Sequence, residues 1–129
     1  MVSGASHTRK TTYTGLISAP VILYNQGRYE SAIKGFDEVL LLHPDDQNAI
    51  FYKGMCFYQL ANFNQAATVL SKISKVEGSP FAEEALFYVA KSYVEMEDLE
   101  KGTVLFQDLV NKQGFYSKQA ALELKKLKK

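Results

Sequence analysis

Gly27-Arg28-Tyr29-Glu30-Ser31-Ala32-Ile33 returns 34 residues later as Ala61-Asn62-Phe63-Asn64-Gln65-Ala66-Ala67, keeping an aromatic (Tyr29, Phe63) three places before a small residue (Ala32, Ala66). A third copy, Glu97-Asp98-Leu99-Glu100-Lys101-Gly102-Thr103, sets Gly102 36 residues after Ala66, so two residues are inserted near Gly78-Ser79-Pro80 while the register survives. A period of this length marks a chain of stacked supersecondary units. Two antiparallel helices approach closely only where one offers a small side chain. Gly54 and Ala90 supply such points on one helix of a pair; Ala32, Ala66 and Gly102 supply them on the other. Each pair leaves an apolar face for its neighbour to cover, so roughly three are needed for a stable unit.

Working outward, Tyr29, Ala32, Phe36, Val39 and Pro44 follow the turn Asn25-Gln26-Gly27-Arg28. Gly54, Phe57, Phe63, Ala66 and Leu70 repeat the pattern, and Leu86, Ala90, Tyr93, Leu99, Gly102 and Phe106 repeat it again. This pattern resembles the tetratricopeptide repeat, a helix-turn-helix unit. The resemblance implies an all-α fold: a right-handed α-solenoid of about three helix pairs, near 16–44, 47–78 and 81–114, with a C-terminal capping helix at 117–128. Residues 1–15 are expected to be a flexible leader. The run Ser79 to Tyr88, with Gly114-Phe115-Tyr116 and the lysine-rich end, also resembles the C-terminal repeat segment of bacterial proteins in which such repeats follow a membrane anchor. That resemblance implies an assembly module cut from a larger protein, cytoplasmic or periplasmic.

Periodicity and breakers predict helices from Ala19 or Pro20 to Gln26, then at 29–42, 46–60, 64–75, 81–96, 99–112 and 117–128. Proline inside a helix deletes a donor, so the first helix is expected to be short, starting near Pro20 after an irregular lead-in at 13–18. Pro44-Asp45-Asp46 and Ser79-Pro80 are start signals, and Gly114 is a stop. The last segment sets Ala120, Leu124 and Leu127 on one stripe and lysines opposite, which reads as a solvating cap. Its rival reading is a basic amphipathic helix for anionic lipid or nucleic acid.

The 129 residues are 47% hydrophobic and 22% charged, the composition of one folded domain. A formal charge of +1 supplies no field for nucleic acid or an anionic membrane. No apolar run reaches the ~18 residues of a membrane-spanning helix, so no direct membrane insertion is expected. The single cysteine, Cys56, lies in an apolar stretch and reads as an inert core thiol.

Enzyme signatures are absent from the sequence: no Cys-x-x-Cys, His-Glu-x-x-His, Gly-x-Ser-x-Gly or phosphate-cradling glycine loop. His43 reads as a partner of a helix C-terminus, and Asp45-Asp46 and Glu83-Glu84 as N-terminal caps. No catalytic residue, metal site or cofactor is expected.

The tetratricopeptide resemblance implies that the first helix of each pair lines a concave groove for a protein or peptide. Its candidates here are Tyr24 and Asn25; then Asn48, Phe51, Met55, Tyr58 and Gln59; then Glu84, Phe87, Lys91 and Val94. Aromatics at helical spacing are equally the composition of a core. Repeats that clamp a terminal carboxylate carry cations where this chain has Phe51 and Met55, so an apolar or amphipathic ligand is expected. The expected function is a non-catalytic scaffold binding a peptide or helix. The alternative is a homodimerisation module or a spacer in a larger membrane-anchored protein.

Overall fold

The computed structural model describes residues 12–128. Among them run seven helices and no strand: α1 Tyr13–Asn25, α2 Tyr29–Leu42, α3 Gln47–Gln59, α4 Phe63–Ser74, α5 Ala82–Glu95, α6 Leu99–Lys112 and α7 Ser117–Leu127. Consecutive helices pack on one another throughout, so α1/α2, α3/α4 and α5/α6 form three stacked hairpins, with α7 laid on α6. The result is a tetratricopeptide-like helical-repeat solenoid.

The turns inside the three hairpins share one geometry. Gly27, Ala61 and Glu97 adopt left-handed conformations with φ of 78°, 61° and 64°. After them, the N–H groups of Arg28, Asn62 and Asp98 reach back to the carbonyls of Leu23, Phe57 and Tyr93 at 2.9, 2.9 and 2.8 Å. These six-to-one bonds satisfy carbonyls that a helix end leaves orphaned. They reverse the chain in the same way three times.

The first helix departs from expectation. It begins at Tyr13, not near Pro20, and takes in residues 13–15 of the expected leader; residues 1–11 lie outside the described region. Thr12 caps it by accepting from the Gly15 N–H at 3.1 Å. Tyr13 then anchors the first turn to the second hairpin, donating to Asp46 Oδ2 at 3.3 Å and accepting from Asn48 Nδ2 at 3.0 Å. Tertiary packing outweighs the missing donor of Pro20, whose ring is fully buried.

The core is three clusters. Phe36, Val39, Ala49 and Cys56 fill the boundary of the first two hairpins. Phe51, Met55, Leu70, Ile73, Ala85 and Val89 fill the next boundary, and Phe87, Phe106, Leu109 and Ala120 seat α7. Close approach is built in: a Cβ on Gly54 would fall onto Leu70, and one on Gly102 would lie 2.6 Å from Val94 Cγ2. Both glycines are places where bulk is forbidden.

Candidate functional site

The odd-numbered helices form the inner side of the stack. Besides their hairpin partners, α1 touches α3 and α3 touches α5. On the other side, grooves open between even-numbered helices: about 440 Å³ between α2 and α4, and about 640 Å³ between α4 and α6. The contacts of α1 with α3 and of α3 with α5 bring these three helices together along one side of the stack.

Residues 36 apart on α3 and α5 occupy matching positions on that face: Asn48 with Glu84, Tyr52 with Tyr88, Met55 with Lys91, Gln59 with Glu95. Tyr24 and Tyr52 meet edge to face at 5.2 Å, and Tyr58 and Tyr88 at 4.9 Å. Burial holds the Tyr58 phenol at about 12, helped by the negative fields of Glu95, Tyr88 and Glu123. Burial also holds Tyr24 at about 12 and raises Tyr88, whose neighbour Glu84 adds to the effect. These phenols are therefore neutral at physiological pH, and Asn25, Asn48 and Gln59 on the same helices are exposed. Residues 23–109, about two thirds of the chain, match the sequence model of the family described as "Anaphase-promoting complex, cyclosome, subunit 3", a family of tetratricopeptide type.

The chain belongs to this family. Families of tetratricopeptide type are in general protein–protein interaction modules. The chain is also similar to the "Outer dynein arm-docking complex subunit 4" of Danio rerio, at 26% identity over 97 residues. The match covers 75% of this chain and spans 20% of that relative's length.

Placed on the tetratricopeptide scaffold, the expected groove residues divide. Phe51, Met55 and Phe87 are buried, which corrects their assignment to an accessible groove. Phe51 stacks on Phe81 at 4.6 Å, and Phe87 packs on Phe106 and Tyr116 at 5.6 and 5.3 Å. Phe81 and Tyr116 open successive repeat units, so each covers the aromatic of the unit before it. Val94 is half-buried and packs where Gly102 makes room. Asn25, Asn48 and Gln59 remain exposed; Tyr24, Tyr58, Glu84 and Lys91 are half-buried. Lys91 lies 3.8 Å from Glu123 and 5.8 Å from the Phe87 ring.

Tyr52, Tyr88 and Glu95 belong with these residues and were not expected from the sequence. Their signal was available: Tyr52 and Tyr88 share the 36-residue register of Asn48 and Glu84. Tyr116 joins them from the start of α7, pushed up to about 12 by burial and then by the negative charge of Glu84. Among the described residues, no three His, Cys, Asp or Glu side chains converge as metal ligands. Burial pushes the Cys56 thiol up to about 12, so the nucleophilic thiolate is scarce at neutral pH. No described helix is long and apolar enough to cross a membrane.

Proposed function

We propose that this domain is a non-catalytic scaffold that holds a segment of a partner protein, as a peptide or a helix, along the concave face of α1, α3 and α5. The observation that carries the reading is the alternation on that face. Positions 51, 55 and 87 are sealed into the core, while the matched positions 48, 52, 59, 84, 88 and 95 keep tyrosine edges, amides and carboxylates in contact with solvent. Rigid aromatic edges beside hydrogen-bonding tips suit a segment whose main chain also needs partners. The docking role printed in the relative's name agrees with an assembly function.

Site-specific photo-cross-linking tests this reading. A cross-linker at Gln59, on the inner face, is expected to capture a discrete partner from native extract, and one at Gln107, on the exposed side of α6, is not. Capture from Gln107 alone would overturn the assignment.

A further inference from the structure

The two grooves on the outer side of the stack are matched by repeat register, and they differ at one pair of positions. At the first, Lys53 of α3 reaches Asp37 of α2 at 2.6 Å, and its stem covers apolar surface there. What stays open, about 440 Å³, lies toward the linkers and is lined by Pro44, Asp45 and Val76. At the second, the residues 36 after Lys53 and 34 after Asp37 are Val89 and Ser71, which cannot form the pair. Both line the α4–α6 groove, which opens to about 640 Å³ and runs on over Val104 of α6. Thr68, the match of Val104 on α4, does not line the first groove.

The open groove is apolar. Leu86, Val89, Tyr93, Val104 and Leu105 form it, and Val104 is 55% exposed. The Ser71 and Ser74 hydroxyls are spent on their own helix, donating to the carbonyls of Thr68 and Ser71 at 3.1 and 2.9 Å. From Leu86 to Tyr93 is seven residues of α5, about 10 Å, the rise of two helical turns. That is the reach of an i, i+3, i+4, i+7 stripe on a partner helix.

Charges mark the two ends. α4 leads into the start of α5 and α6 follows from its end, so Lys75 lies toward Leu86, whereas Glu100 and Lys101 lie toward Tyr93. Asp98 answers Lys101 at 3.7 Å, which leaves the carboxylate of Glu100 at that end. Lys75 is exposed and has no carboxylate within ion-pair distance among the described residues; Glu77, two residues on, does not line the groove. One end is cationic and the other anionic.

We propose that the α4–α6 groove is a second partner site, taking the apolar stripe of an amphipathic helix from another protein, with a carboxylate of that helix at Lys75 and a cation at Glu100. It lies on the side of the stack away from α1 and α3, so both partners can be held together.

The probe is a labelled helical peptide with leucines at i, i+3, i+4 and i+7, glutamate at one end of the stripe and arginine at the other, titrated into the full chain by fluorescence anisotropy. S71D/V89K transplants the pair that closes the first groove and should weaken binding more than about tenfold, with helical circular dichroism unchanged. V104E, at an exposed position, should do the same and serves if the transplant fails to fold. K75E should weaken the parent peptide and bind better to one whose glutamate is exchanged for lysine. No binding to the parent chain, equal binding by V104E, or no effect of K75E would each overturn the proposal. Concentration-dependent self-association of the parent chain that V104E abolishes would assign the groove to a second copy and overturn it too.

Discussion

Pro20 and Gly35 face one another across the first hairpin, and a Cβ added to Gly35 would lie 2.7 Å from that of Pro20. In the second hairpin, 34 residues on, the bulk is exchanged: Gly54 stands on the odd-numbered helix and Val69 opposite, with a Cβ on Gly54 meeting Val69 Cγ1 at 3.4 Å. The first repeat thus tolerates a proline at the small-residue position because its partner helix gives up a side chain there. Gly35→Ala should destabilise the domain by about 1–3 kcal/mol, as overpacking does. In urea unfolding, the same change on a Pro20→Gly background, which removes the opposing Cβ, should cost less. Equal costs in both backgrounds would show that the two residues are not coupled.

Ala61 and Glu97 hold left-handed turns that Gly27 holds without steric penalty. Ala61→Gly and Glu97→Gly should each raise stability, by up to about 1 kcal/mol after the entropic cost of glycine is set against the relieved strain. A loss of stability in thermal unfolding would contradict the reading of these turns as strained copies of the first.

Asp46 Oδ2 accepts both the Ala49 N–H, at 2.8 Å, and the Tyr13 hydroxyl. Asp46→Ala should therefore cost about 1–2 kcal/mol, more than an isolated cap of α3. Hydrogen exchange should show added opening at α1 as well as α3, whereas Tyr13→Phe should loosen α1 alone. Confinement of the Asp46→Ala effect to α3 would detach Tyr13 from the anchoring of α1.

Alkaline pH should unfold the domain. Cys56 is raised from 9.0 to about 12, and Tyr24, Tyr58 and Tyr116 from 10.0 to about 12, chiefly by burial. The unfolded chain releases these protons first, so their contribution to stability is intact below pH 9 and is lost as the pH climbs from 9 towards 12. Chemical denaturation across that window should give a falling midpoint. The Cys56 thiol should resist a disulfide reagent at pH 8 until the chain unfolds, and rapid modification of the folded protein would refute its burial.

The fold was legible because repeat architecture writes itself at fixed spacing: Tyr29, Phe63 and Leu99, and Ala32, Ala66 and Gly102, each perform one packing role three times. The start of α1 was not legible, because Pro20 argues locally against a helix. Its rescue comes from Gly35, fifteen residues on, and from Tyr13 reaching Asp46 and Asn48 in another hairpin. The binding face was half legible. Position along a helix identifies which side Phe51 and Phe87 occupy, but not that Phe81 and Tyr116 close over them. Tyr52 and Tyr88 were hidden in the same crowd of aromatics, although their 36-residue spacing marks them as a pair.

The concave face is the central claim, and the change that tests it must leave the core alone. Phe51→Ala would not do so, since it empties the stack on Phe81. Gln59→Arg with Glu95→Arg alters two exposed, matched positions instead. The decisive measurement is the affinity of the partner captured through Gln59 for this double variant beside the parent chain, with helical content confirmed equal. A loss of more than about tenfold, or 1.4 kcal/mol, is the expected result; unchanged affinity would place the working surface elsewhere on the molecule.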